Sequence, residues 1–302
     1  MQTSRADIAD LIYFLAIARH RSFTRAAVES GVSASALSHA LKGLETRLGV
    51  RLFNRTTKSV TLTAAGEVLV QAILKPFEAI DDALESLNQF RDSPGGRIRI
   101  NAAVEAANLL LAPVMPAFMD RYPHVEIDIV ASNRMVDVTQ AGFDAGIRYG
   151  GTVPEDMIAR RLSADIRWVI AASPDYLARY GTPAHPEDLL HHRCVSNRLG
   201  DDRIYRWELE RDGETLQITV PTSVTVNQAE TGLVAVLGGA GLMYFPEPLV
   251  APYVNDGRLT LVLTDWSVRE DGFYIYYSGR RQLPTGLRLL IELIQEVRPL
   301  GL

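Results

Sequence analysis

Apolar residues recur along the first third of the chain at helical spacing. From Asp7 onward, Leu11, Phe14, Leu15 and Ala18 mark one face of a first helix. Ser22 is placed to cap a short second helix beginning Phe23-Thr24-Arg25-Ala26-Ala27. Gly31 follows Ser30 and can supply the positive φ of a tight inter-helix turn. Ser33 then caps a third helix running to about Leu48, with Gly49 as its stop. On that helix Leu37, Leu41, Leu44 and Leu48 share one side, and Ser35, Ser38, His39, Lys42 and Thr46 lie opposite. Residues 50–53 and 59–62 read as two short strands joined by the polar, basic loop Asn54-Arg55-Thr56-Thr57-Lys58.

The pattern then changes. From Thr63 to about Phe90 the chain is helical by composition, and Ile73, Phe77, Ile80, Leu84 and Leu87 follow the 4-3-4-3 rhythm of a coiled-coil seam. Packing on its own domain would usually require a wider apolar stripe. Pro76 lies inside this run and predicts a kink or a tolerated distortion. Arg91-Asp92-Ser93-Pro94-Gly95-Gly96 reads as a hinge. Beyond it strands and helices alternate, the mark of an α/β fold with largely parallel sheets. Strands are expected at 97–102, 125–130, 145–149, 168–172, 224–226 and 242–245. Helices are expected at 109–121, 136–140, 174–180, 230–237 and 287–297.

Charge sharpens the division. Residues 1–60 hold nine Lys/Arg against four acids, a net of +5, while the rest holds 22 bases and 32 acids, a net of −10. A basic head on an acidic body suits a head that meets a polyanion. The third helix agrees: small hydroxyls, one imidazole and one ammonium, with almost no bulk, let a helix sink into the major groove. A merely solvated amphipathic helix would normally carry more Glu and Lys there. The basic loop is suited to meet phosphates or the minor groove as a wing. The head therefore reads as a winged helix-turn-helix.

The stretch from Phe14 to Gly66 resembles the N-terminal domain of LysR-type transcriptional regulators. It carries S-F-T-x-A-A, V-S-x-x-A-L-S, L-E-x-x-L-G, L-F-x-R and L-T-x-A-G, in order and at the expected spacing. The resemblance extends through Leu111-Ala112-Pro113, Arg121-Tyr122-Pro123, the run Gly142-Phe143-Asp144-Ala145-Gly146-Ile147-Arg148, and Gly239-Ala240-Gly241-Leu242. It implies DNA contacts from Ser22, Thr24, Arg25, Ser33, Ala34, Ser35, Ser38, His39, Lys42, Arg51, Arg55, Thr56, Thr57 and Lys58. Ala34 and Ser35 stand where many members carry Gln-Pro or Pro-Ser, and His39 where an Arg is frequent. The helix thus departs from the family at two common base-contacting positions.

The implied fold class is α/β, with an N-terminal winged helix-turn-helix (residues 1–64), a linker dimerisation helix (65–92) and a two-lobed, periplasmic-binding-protein-like effector domain (93–302). Lobe I would take 97–162 and 267–302, and lobe II 168–262. Strand ends and following turns would line an effector cleft: Ala103, Val104 and Glu105; Ala131, Ser132 and Asn133; Arg148 and Tyr149; Ser196 and Asn197; Asn227 and Gln228; and Phe245. Sheets of this kind bind small molecules at the carboxyl ends of their strands. Glu105 falls where many relatives have Ser or Thr. It either accepts a cationic or donor group of the effector or points to solvent. The family also implies homodimers through the linker helix, assembling into tetramers, on a roughly palindromic double-stranded site.

Other chemistries are not supported. The 302 residues are 47% hydrophobic and 22% charged, an ordinary globular balance. The single cysteine, Cys194, precludes an intramolecular disulfide and makes a Cys-based zinc site untenable; a buried, inert thiol is expected. No signal peptide or membrane-spanning run is expected, so the chain reads as soluble and cytoplasmic. Adjacent His191 and His192 suit a loop before a strand. Gly238-Gly239-Ala240-Gly241 follows a helix and enters a strand, the reverse of a phosphate-binding turn, and reads as a helix stop. No cofactor, metal site or catalytic constellation is expected. Two other functions share this pattern: a solute-binding module whose head only docks it, and an architectural DNA protein without effector.

Overall fold

A computed structural model describes residues 5–55, 59–90, 93–279 and 283–301. They form two compact units, one of residues 1–92 with 139–142 and the other of 93–138 with 143–302.

In the first unit α1 (Arg5–His20), α2 (Phe23–Glu29) and α3 (Ala34–Leu48) precede a hairpin of β1 (Phe53–Arg55) and β2 (Val60–Leu62). α4 (Ala64–Ser86) follows and ends in a 3₁₀ turn, Leu87–Phe90. Phe14, Ile17, Ala26, Leu37, Leu41 and Leu44 form its buried core with Leu52 and Phe53. Local chemistry sets each boundary. The Ser22 and Ser33 hydroxyls accept the backbone N–H of Arg25 and Ala36, capping α2 and α3. Gly31 (φ 66°) and Gly49 (φ 69°) take the left-handed conformation that ends a helix. Thr63 accepts the Gly66 N–H and donates to the Arg51 carbonyl. A Cβ on Gly66 would stand 2.3 Å from the Leu52 carbonyl oxygen, so the closing glycine of L-T-x-A-G marks a close approach of backbones. Pro76 interrupts neither the run of α4 nor its core face. Ala72, whose carbonyl loses its donor to the proline, is exposed to water, as is Pro76 itself.

The second unit has two mixed sheets. Lobe I orders its strands β4-β3-β5-β15-β6: β3 (Gly96–Ala102), β4 (Val125–Ala131), β5 (Ala145–Tyr149), β6 (Ile158–Arg161) and β15 (Phe273–Tyr277). Between β3 and β4 the chain forms α5 (Val104–Ala106), a π turn, a 3₁₀ turn and α6 (Met115–Arg121). Lobe II orders β11-β8-β12-β7-β13, with β14 also on β7. These are β7 (Ile166–Ala172), β8 (Cys194–Asn197), β11 (Thr222–Val226), β12 (Leu242–Pro246), β13 (Thr260–Val262) and β14 (Val268–Glu270). The hairpin of β9 (Trp207–Arg211) and β10 (Glu214–Ile218) stands apart, and α7 (Pro174–Tyr180), α8 (Ala229–Leu237) and α9 (Glu247–Asn255) pack on this lobe. α10 (Thr285–Val297) closes lobe I, burying Leu287, Leu290, Leu293 and Ile294.

Four expectations need correction. The sheets are mixed, not largely parallel: β15 runs antiparallel to β5 and β6, and β7 antiparallel to β12, because the chain crosses between lobes twice. Residues 136–140 form no helix; they run into a turn in which the Gly142 N–H meets the Thr139 carbonyl and the Phe143 N–H the Val138 carbonyl. The first wing strand starts at Phe53 instead of residue 50, because the Leu52 and Phe53 N–H groups bond to the Glu45 carboxylate. Leu48 is 38% exposed, as the last residue of α3.

Candidate nucleic-acid interface and ligand junction

The outer face of α3 is polar and open. Leu37, Leu41 and Leu44 are at most 1% exposed, whereas Ser35, His39, Lys42 and Thr46 are exposed and Ser38 is half-buried. Ser33, Ala34, Thr24, Arg25 and Arg51 are also exposed, with Ser22 half-buried at its cap. Arg25 donates to the His20 carbonyl (2.8 Å), and the Ser33 and Ser35 hydroxyls pair at 2.9 Å. Thr56, Thr57 and Lys58 lie outside the described residues.

One residue organises the wing. Glu45, in α3, accepts the N–H of Leu52 (2.8 Å) and of Phe53 (3.3 Å) through Oε1, and Arg55 through Oε2 (3.2 Å). Arg55 also donates to the Ser38 hydroxyl (3.3 Å) and lies over the Phe23 ring at 4.8 Å. Arg55 is thus tied back to α2 and α3 and fixes the wing to the recognition face. The sequence reading took Glu45 only as a letter of L-E-x-x-L-G; a lone acid on a helix of a basic head was the available signal. Arg47 bridges Asp7 (2.8 Å) and Asp10, joining α3 to α1, and these acids raise its pKa.

On α4, Ile80, Leu84 and Leu87 are 54%, 59% and 50% exposed. Ile73 packs instead against the head core, and Phe77 is half-buried.

In the second unit the ends of β3 and β5 meet lobe II. The Ala103 N–H bonds to the Ile147 carbonyl (2.9 Å), the Ser132 N–H to the Ala102 carbonyl (2.8 Å) and the Val104 N–H to Asn133 Oδ1 (3.0 Å). Asn133 Nδ2 reaches the Asn227 carbonyl (3.4 Å), and Asn108 Nδ2 the Glu230 Oε1 (2.5 Å), so two side-chain bonds cross between lobes. Glu105 belongs to this junction. Burial raises its pKa, the Glu230 charge adds to the rise, and its own backbone N–H, Asn133 and Arg148 oppose it. The Tyr149 hydroxyl is held far above its ordinary value by burial and then by the charges of Glu105, Glu270 and Glu230. Its ring packs on Phe273 (4.5 Å) and Trp168 (5.7 Å). Asn197 is half-buried at the end of β8, and its carbonyl accepts the Tyr205 N–H.

Three expected cleft residues are elsewhere. Phe245 is fully buried in the lobe II core. Ser196 is fully buried and bonds to the Thr222 hydroxyl at 2.7 Å. Arg148, 4% exposed, projects from the sheet face opposite Tyr149, since neighbours on a strand alternate. Its guanidinium donates to the carbonyls of Asn101, Ile147 and Arg134 and to Asn101 Oδ1, pinning the turn after β4. Nothing in the sequence marks Asn108, Glu230 and Glu270: the first two lie a few residues beyond the ends of β3 and β11, and Glu270 ends β14, a strand of three residues. Cys194 is fully buried, and burial pushes its thiol up to about 12, as suits an inert residue.

A three-helix head with a capped, leucine-backed recognition helix and wing, followed by a two-lobed α/β unit, defines a DNA-binding regulator with a ligand-binding domain. The chain belongs to the LysR family of bacterial transcriptional regulators. Residues 8–67 match the bacterial regulatory helix-turn-helix protein, lysR family, and residues 91–299 the LysR substrate binding domain. The chain is 39% identical over 291 residues to the uncharacterized HTH-type transcriptional regulator YcaN of Escherichia coli, covering 96% of this chain and 95% of that protein. It is 35% identical over 289 residues to the regulator PgrR of the same organism, covering 95% and 97%. Among solved structures it resembles the full-length Vibrio cholerae virulence activator AphB, an LTTR family member, with a TM-score of 0.69, 26% identity and coverage of 96% and 99%. CrgA, a LysR-type regulator from Neisseria meningitidis, gives a TM-score of 0.61 at 27% identity, covering 98% and 99%.

Proposed function

We propose that this LysR-type regulator lays α3 in the major groove, with Ser35, Ser38, His39 and Lys42 toward base edges and phosphates and Arg51 and the wing toward the backbone. Two copies joined through Ile80, Leu84 and Leu87 present two such helices to the halves of a roughly palindromic promoter site in the cytoplasm. A small effector bound at the junction of Ala103, Glu105, Asn133 and Asn227 biases one arrangement of the subunits over another, and with it the contacts to DNA. The observation that carries the reading is the division of α3: Leu37, Leu41 and Leu44 are at most 1% exposed, while Ser35, His39, Lys42 and Thr46 are open to solvent. Solvation alone does not call for such a sparse, unbulky face.

Fluorescence anisotropy on a promoter duplex across a salt series tests it. Affinity should fall steeply with salt, and Lys42→Ala should reduce the slope of log K on log salt by about one. A flat salt dependence, or an unchanged slope in the variant, would remove α3 from the DNA.

A further inference from the structure

Effector chemistry is written into the acids of the interlobe junction. Glu105 and Glu230 come from facing lobes, and Asn108, three residues after Glu105, bonds across to Glu230 at 2.5 Å. Glu230 Oε1 is bonded to Asn108, but Oε2 is buried and has no hydrogen-bond partner among the described residues. The Tyr149 hydroxyl, also buried and without a partner there, sits within the fields of Glu105, Glu230 and Glu270. These two unsatisfied atoms are a standing cost unless a polar group enters, and the carboxylate oxygen can be met only by a donor.

Among the described residues no cation is paired with the Glu230 carboxylate. Arg148 is the cation acting on Glu105, and its two terminal nitrogens already donate to the carbonyls of Asn101, Ile147 and Arg134 and to Asn101 Oδ1. Described residues contain no group of His, Cys, Asp and Glu arranged for a metal ion. The packing beside the Tyr149 hydroxyl is aromatic: Tyr149, Trp168 and Tyr205 follow one another at ring separations of 5.7 and 6.3 Å. Carboxylates beside aromatic faces attract an alkylammonium rather than a hard, hydrated ion, and they repel an anion.

We propose that the effector of this protein is an organic cation, its ammonium group held between Glu105 and Glu230 with the Tyr149 ring and hydroxyl against it. This rests on the reading of the junction as the effector site and adds the class of ligand.

The test uses the full-length protein with n-butylammonium and choline as probes and butyrate and 1-butanol as controls, read by thermal melting and calorimetry. At least one ammonium probe should bind and raise the melting temperature, and neither control should. Glu105→Gln and Glu230→Gln should each weaken that binding about tenfold or more, while their ligand-free melting shows that they fold. Failure of both ammonium probes overturns the cationic class, as does ammonium binding indifferent to both glutamine variants. If butyrate or butanol binds instead and Asn133→Leu abolishes that binding, the cation fails but the junction stands as the effector site. If ammonium binding survives Glu105→Gln, Glu230→Gln and Asn133→Leu alike, the site is wrong as well.

Discussion

Replacing Glu45 by alanine should loosen the wing without touching its sequence. The carboxylate, whose side chain is 14% exposed, is the acceptor for two backbone donors of the segment entering β1 and for Arg55. Leu52 and Phe53 are 1% and 3% exposed, so water reaches their N–H groups poorly once the acceptor is gone. A buried donor stripped of its partner costs about 1–3 kcal/mol. The 2.8 Å bond belongs in the upper part of that range, the 3.3 Å bond in the lower, and the exposed Arg55 pair adds little. Together they give about 2–4 kcal/mol, or a fall in amide protection of roughly 30- to 700-fold where exchange follows opening of the head. Hydrogen exchange on peptides spanning Leu52 to Leu62 reads this directly. Glu45→Gln, which keeps a neutral acceptor, should lose less. Protection in the alanine variant within about threefold of the parent would refute the assignment.

Other outcomes follow from the same structure. Gly66→Ala brings a Cβ within 2.3 Å of the Leu52 carbonyl, and since the obstacle is backbone the head should lose about 1–3 kcal/mol or more in denaturant unfolding; an unchanged midpoint would contradict the close approach. Glu105 binds its proton more tightly folded than unfolded, so its ionisation opposes folding above the ordinary value of 4.5. Glu105→Gln should therefore raise the melting temperature at neutral pH and lose the gain as pH falls below that value; a gain that grows in acid would reverse the sign. Leu84→Glu places a charge on the half-exposed seam of α4, and sedimentation should show dissociation toward monomer at concentrations where the parent is paired, with intact pairing contradicting the seam.

The head was legible because its signals are local. Ser22, Ser33, Gly31 and Gly49 act on the residues next to them, and Leu37, Leu41 and Leu44 at helical spacing share the face that packs on the core. Where a distant partner decided the outcome, the pattern was silent. Val50 and Leu52 alternate like a strand, yet the segment leaves the ladder because Glu45 takes its N–H groups. Arg55 looked like a free cation and is tied to Glu45 and Ser38. In the body, strands of three residues such as β13 and β14 carry too little periodicity to announce themselves. The β9–β10 hairpin is not among the expected elements, although Asp212-Gly213 is a two-residue turn with both φ angles positive and a strong local hairpin signal. Arg148 and Tyr149 were drawn to the same site as sequence neighbours, although strand alternation sends them to opposite faces.

Sequence-specific binding as proposed requires α3 to read bases with its small polar face. Selection of binding sites from random double-stranded DNA, run in parallel with the parent and with His39→Ala, tests that claim most directly. The parent should yield a two-halved site, and the variant a changed base preference at the same offset in each half, with overall affinity altered less than by loss of a phosphate contact. Two superimposable base profiles would contradict the placement of His39 on the bases.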